Sequence, residues 1–184
     1  VAYLVVACQV LTALTFLVAA VGKLRSRAGY AAFVAELGSW PLVPAGARSA
    51  VARTVSTAEA AVPLLIAVPA TRRAGAAVAV LLLAAFLTAM VLLRRRGATA
   101  RCACFGRRPA TLAARHLVRT AVLLGAAATA LPGQGAGAPA GPGGALIAAG
   151  FGAIGALVAV TLDDIAEVLG RPAPAPGASP IPRS

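Results

Sequence analysis

Val1 to Gly22 is a run of 22 residues without one charged side chain, and it stops at Lys23-Leu24-Arg25-Ser26-Arg27. As a helix it would be about 33 Å long, enough to cross the roughly 30 Å hydrocarbon core of a bilayer. The pattern then recurs. Thr54 to Thr71 lies between Arg53 and Arg72 and holds one charge, Glu59. Ala74 to Leu93 is stopped by Arg94-Arg95-Arg96. Leu112 to Leu131 carries Arg115, His116 and Arg119 in its first turns and ends at Pro132-Gly133. Ala145 to Leu162 is rich in Ala and Gly and is followed by Asp163-Asp164. The sequence therefore predicts five spans. The first run lacks the basic leading segment and small-residue cleavage site of a signal peptide, so it reads as a retained helix.

Composition narrows the class further. Charged residues make up 12% of the chain, against about 25% in soluble domains, which is too little to cover a water-soluble core. Hydrophobic residues make up 60%, which excludes a disordered chain. Three cysteines do not make a secreted disulfide framework. The expected fold is all-α, a polytopic transmembrane helix bundle. Three segments are expected: residues 1–132 as a four-helix membrane domain, 133–170 as a Gly/Pro loop with a fifth helix, and 171–184 as a Pro-rich disordered tail.

Between the first two spans, Tyr30, Phe33, Val34 and Leu37 fall at i, i+3, i+4 and i+7, the spacing of one helical face. Gly38 is a plausible stop, and Trp40 follows where interfacial aromatics are common. This segment reads as a short interfacial helix in the membrane surface, with a loop helix packed on the bundle as the alternative. Ala148, Gly152 and Ala156 recur every fourth residue in the fifth span, a stripe suited to close helix packing.

Five spans sort the basic residues onto two sides. Lys23, Arg25, Arg27, Arg48, Arg53, Arg94, Arg95, Arg96, Arg101, Arg107, Arg108, Arg115, Arg119, Arg171 and Arg183 share one side, leaving only Arg72 and Arg73 on the other. The positive-inside rule makes the first side cytoplasmic, in the plasma membrane of a bacterial cell, with the N-terminus outside. The net charge of +12 then sets orientation and attracts anionic membrane lipids. Nucleic acid is not expected as a partner, because the charge is spread over loops between apolar spans.

The candidate chemistry collects at the same end. Cys102-Ala103-Cys104 is the sharpest local signal. Two thiols so close would close a strained, easily reduced disulfide, and neighbouring Arg101, Arg107 and Arg108 favour the thiolate. The pair reads as redox-active, as a soft-metal clip with His116 for Cu(I) or Zn, or as incidental loop thiols. Cys8, about 22 Å from that face along a helix, reads as a packing or lipid-side residue. Glu59 is costly inside a span and needs a partner. Lys23 is the reasonable one, with Arg53 competing, and the pair reads as a structural ion pair or as a proton or substrate site. His116 and Arg119, three residues apart, could support a thiolate, a quinone carbonyl or a lipid phosphate, or act as solvated interfacial anchors.

One ordered set of motifs resembles a known family. Ala19-Ala20-Val21-Gly22-Lys23-Leu24-Arg25, the surface segment with Phe33 and Leu37-Gly38, Ala58-Glu59-Ala60, Cys102-Ala103-Cys104-Phe105-Gly106 and His116-Leu117-Val118-Arg119-Thr120 occur in this order. Together they are similar to MauE, the methylamine utilisation membrane proteins, within the DoxX-like superfamily, over roughly residues 1–132. The last motif departs slightly, with Thr120 where Asn is usual. The resemblance implies a DoxX-like four-helix core plus a fifth helix, and a role beside a thioredoxin-like redox protein in maturing a client enzyme subunit, the disulfide-rich small subunit of methylamine dehydrogenase. On that reading Cys102 and Cys104 exchange electrons with the partner, and His116 and Arg119 stabilise the thiolate. Lys23 and Glu59 tie the first two helices, and no cofactor is assigned. The protein would act as a maturation factor or thiol-disulfide relay more than as a stand-alone enzyme. An exported client conflicts with a cytoplasmic cysteine loop unless the chain relays reducing equivalents across the membrane. The alternatives are a membrane subunit of a quinone-linked oxidoreductase and a small-solute or metal transporter using Glu59.

Overall fold

The computed structural model describes the backbone of residues 1–95, 101–102, 110–111, 114–131 and 141–169, and side chains over 1–95, 116–131 and 141–161. It is a helical bundle of α1 (Ala2–Leu24), α2 (Arg27–Leu37), α3 (Arg48–Ala67), α4 (Arg72–Arg95), α5 (Ala114–Ala130) and α6 (Pro142–Leu169). Single 3-10 turns at Ala45–Ala47 and Pro69–Thr71 lead into α3 and α4. A two-residue antiparallel ladder, Arg101 opposite Thr111 and Cys102 opposite Ala110, lies between α4 and α5.

Among the described residues, four helices are long and apolar enough to cross a membrane: α1, α3 with its leading turn, α4 with its leading turn, and α6. The fourth expected span, α5, is a shorter apolar helix of 17 residues. At 1.5 Å per residue it is about 25 Å long. It packs against α1 and α4 within the bundle. Helix α3 begins at Arg48, six residues before its apolar run, and α6 continues through Asp163 and Asp164 to Leu169. Charges end an apolar run, but they do not end a helix once backbone groups reach water. The expected loop at 134–140 and tail at 171–184 lie outside the described residues.

Burial in α1 follows a pattern opposite to that of a soluble helix. Its buried face carries Thr12, Thr15, Phe16, Ala19, Ala20 and Lys23, while Leu17, Val18, Val21 and Leu24 are exposed. Lipid tails are as apolar as leucine, so turning leucine inward gains little. Polar and small side chains gain partners and close approach instead. The Thr15 hydroxyl donates to the Leu11 carbonyl at 2.7 Å. The central core joins Phe16 of α1, Val62 and Ile66 of α3, Ala79 and Leu83 of α4, and Leu123 and Ala127 of α5.

The α3–α4 connection is closed by side chains. The Thr71 hydroxyl donates to the Leu65 carbonyl at 2.9 Å, and Arg72 Nε donates to the Ile66 carbonyl at 3.3 Å. Both satisfy carbonyls that the helix end leaves open. Of the two settings open to α2, packing on the bundle is realised. Ser26 caps it by accepting from Gly29 N–H at 3.0 Å. Phe33 and Leu37 are buried against Ala52, with Tyr30, Val34, Val51 and Val55 packed around them. Trp40 inserts beside Leu93, Phe86 and Ala89 of α4. Gly38 ends α2 in right-handed backbone, so its value there is close approach and not a left-handed turn.

Helix α6 lies along α1 on the small-residue stripe. Ala148, Gly152 and Ala156 are all buried. A Cβ at Gly152 would run into the Ala7 carbonyl oxygen and come within 3.0 Å of Val10 Cβ and 3.1 Å of Leu11 N. Near the start of α1 the two helices border an apolar cleft of about 420 Å³ lined by Tyr3, Leu4, Ile147 and Phe151.

Gly152→Leu should therefore force α6 off α1, because backbone atoms cannot swing aside, at a cost of about 1–3 kcal/mol. The readout is thermal stability of the purified protein in detergent. Gly150→Leu is the control, since Gly150 is exposed and a Cβ there meets nothing within 4 Å. Equal stability of the two variants would rule out the tight α1–α6 contact.

Candidate functional site

Lys23 and Glu59 meet inside the bundle. Lys23 Nζ donates to Glu59 Oε1 at 2.5 Å and to Oε2 at 2.7 Å. Both residues are buried, at 4% and 2% exposure. Position explains the choice of partner. Lys23 closes the last turn of α1, and Glu59 is central on the buried face of α3, which reads Ala52, Ser56, Glu59, Val62, Ile66. Arg53 lies off that face and is exposed. Pro63, four residues after Glu59, has no N–H to donate to the Glu59 carbonyl, which loosens the helix beside the carboxylate.

Two rings complete the environment. Lys23 Nζ sits 4.2 Å from the centroid of Phe33 in α2 and 5.9 Å from that of Phe86 in α4. An ammonium over an aromatic face gains about 0.5–2 kcal/mol, with the larger value in a desolvated site. One ammonium thus touches side chains from α2, α3 and α4 while anchored on α1.

Helix register shows what else lies at this level. Phe16, Val62, Leu83 and Leu123 share the central cluster. About one turn from it toward the basic end come Glu59, Phe86 and Thr120. About two turns out come Lys23, Ser56, Met90 and His116. All seven except Phe86 are buried. The basic end of the interior is therefore polar, although the helices that enclose it are apolar. Such groups are expensive in a membrane and mark function more often than packing.

His116 faces this interior, on the stripe His116, Thr120, Leu123, Ala127. Arg119 turns away from it and donates from Nη1 to the Ala159 carbonyl of α6 at 3.2 Å. The Cys102 backbone sits in the ladder between α4 and α5, while its side chain and all of Cys104 lie outside the described residues. No geometry can be given for Cys102, Cys104 and His116 as metal ligands. Among the described residues, no three His, Cys, Asp or Glu side chains cluster as a metal site. Cys8 packs beside α5 and accepts from the Thr129 hydroxyl at 3.3 Å, far from the polar layer. Phe33, Phe86, Ser56 and Thr120 escaped the sequence reading as site residues. Ser56 and Thr120 carried a signal: each lies one turn from a named site residue, Glu59 and His116, on the same helix.

Breaking the pair should be costly on either side. Glu59→Leu or Lys23→Met alone leaves one buried charge without its counterion, a loss of about 3–5 kcal/mol. The double variant removes both charges and should recover most of that loss. A double-mutant cycle on detergent thermal stability measures the coupling, and additive losses would show that the two side chains do not depend on each other.

Comparison with known proteins adds the family. The sequence model of "Methylamine utilisation protein MauE" matches residues 1–133. That stretch carries α1 through α5 and the Cys-x-Cys segment, and it ends before α6. No curated protein and no solved structure matches the chain. With most of its length covered by that match and four helices fit to cross a bilayer, this multi-pass chain belongs to the MauE family of methylamine utilisation proteins.

Proposed function

We propose that this methylamine-utilisation-associated membrane protein serves the maturation of a partner enzyme by thiol-disulfide exchange at Cys102 and Cys104. The observation that carries the reading is the ladder at Arg101–Cys102 and Ala110–Thr111. It ties the two ends of the cysteine segment together between α4 and α5, at the end of the bundle where the polar layer and His116 lie. A ladder at that place ties the segment that carries the two cysteines to the helices on either side of it. Arg94 and Arg95 are exposed at that end, and their charge favours a thiolate nearby.

In the exchange, one thiolate of the pair attacks a disulfide of a thioredoxin-like protein. A mixed disulfide forms and one partner thiolate leaves. The second cysteine then displaces the other partner sulfur. The chain ends as the disulfide and the partner as the dithiol, so two electrons have moved to the partner. The reduced partner can then reshuffle disulfides in the client, of the type found in the small subunit of methylamine dehydrogenase. The arginine distribution favours a cytoplasmic exchange, with anionic lipid heads holding the basic face, and for an exported client the reducing equivalents are then relayed across the membrane. His116 and Arg119 act from α5 as support for the thiolate, although Arg119 also holds α6.

Cys102→Ser and Cys104→Ser should each abolish client maturation while leaving membrane insertion intact. The assay is correctly paired client small subunit per unit of inserted protein. Normal maturation in both variants would remove the thiol role. In a Cys8→Ser background, a membrane-impermeant thiol reagent should label Cys102 and Cys104 only after cells are opened. Labelling in intact cells after prior reduction would instead place the pair outside.

A further inference from the structure

The chain holds 16 arginines and a single lysine, and that lysine is the residue buried against Glu59. A chain that uses arginine at every other basic position has a specific reason to use lysine here. If the site needed only an ion pair, the planar fork of arginine would match a carboxylate better, with two parallel hydrogen bonds. The Glu59 site takes a compact primary ammonium instead. Both carboxylate oxygens accept from one nitrogen, at 2.5 and 2.7 Å. Phe33 presents its face at 4.2 Å, and Phe86 flanks at 5.9 Å. A carboxylate with aromatic faces around one nitrogen is the chemistry by which proteins bind alkylammonium ligands.

We propose that Glu59, Phe33 and Phe86 form a recognition site for a small primary alkylammonium ion, which Lys23 fills in this structure as a tethered occupant and yields to a free ammonium by swinging outward. The end of the Lys23 side chain is itself a methylene bearing an ammonium, so a free alkylammonium presents the same group to the same atoms. Lys23 is one residue from the end of α1, where Ser26 switches the chain to extended backbone before α2. A lysine at that level can run its stem along the helix and place its ammonium at the interface. Arg53, Arg94 and Arg95 are exposed at this basic end. They repel cations at the surface, so the buried carboxylate supplies the attraction. The tether competes at an effective concentration on the order of mM, so free ammonium ions should bind the native chain weakly, at roughly mM concentrations. This site does not involve the cysteine segment, so it stands or falls independently of the thiol reading.

The test uses the purified full chain in detergent, with methylammonium chloride as probe and saturation-transfer NMR of its methyl protons as readout. Tetramethylammonium chloride at equal ionic strength is the control, because it offers no N–H to the carboxylate. Saturable transfer to methylammonium, absent for tetramethylammonium, is expected for the native chain. Glu59→Gln should abolish it. Lys23→Ala removes the tethered competitor and should tighten binding about tenfold or more. It also deletes three carbons and the nitrogen, so propylammonium should be the best-fitting ion in that variant and should raise its melting temperature. Phe33→Leu keeps the ion pair and should weaken binding, which covers the case in which Glu59→Gln does not fold. No saturable transfer in the native chain would overturn the proposal, even if Lys23→Ala binds, because the pair would then be structural only. Transfer that persists in both Glu59→Gln and Phe33→Leu would overturn it as well.

Discussion

A buried ammonium on α1 holds the basic end of this bundle together. Lys23 gives two hydrogen bonds to Glu59 of α3 and lies over rings from α2 and α4. Glu59 lies deep on the buried face of α3, so its carboxylate depends on a cation held beside it far more than a surface salt bridge would. Four helices therefore share one electrostatic contact. Beside it α2 is folded back on the bundle, with Phe33 serving both as a core residue and as the cover of the ammonium. Trp40 then seals the same end against α4.

Elsewhere the bundle is held by shape. Leu17, Val18, Leu64, Leu81, Val122, Phe151 and Ile154 are exposed, as suits a lipid-facing surface. The interior is built from alanine, glycine, hydroxyl residues and a few large side chains. Gly152 brings α6 within backbone contact of α1, and Gly75 does the same for α4 against Leu65 and Ile66 of α3. Close backbone approach gathers many small dispersion contacts without requiring a hydrophobic driving force. The outcome is a rigid apolar middle with a polar layer on one side of it. Among the described residues, most of the charge lies at the end where the cysteine segment follows α4, with Arg72 and Arg73 at the other end.

Much of this was readable along the chain. The spans were visible because charge is absent over stretches that match bilayer thickness. The stripe at Ala148, Gly152 and Ala156 was visible because small residues at every fourth position leave few other uses. The amphipathic face of α2 was visible too, but periodicity cannot say whether an apolar face meets lipid or protein. The helices run past the expected spans to Arg48 and Leu169, since composition marks the membrane boundary and backbone hydrogen bonding marks the helix boundary. His116 and Arg119 read as a pair at i, i+3, yet about 60° of helical rotation separates them. One faces the interior and the other reaches α6.

By itself the sequence determined that this chain is a multi-pass membrane protein, that most of its basic residues fall at one end of the apolar runs, and that Glu59 must find a partner. Those conclusions follow from the cost of moving charge into hydrocarbon, which depends on residue type and run length alone. Only the tertiary structure decided which cation Glu59 meets, that Phe33 and Phe86 flank it, and that His116 shares its layer. Those outcomes depend on the relative rotation and register of helices far apart in the chain. That relation is set by how Phe16, Val62, Leu83 and Leu123 pack together, and no local pattern encodes it.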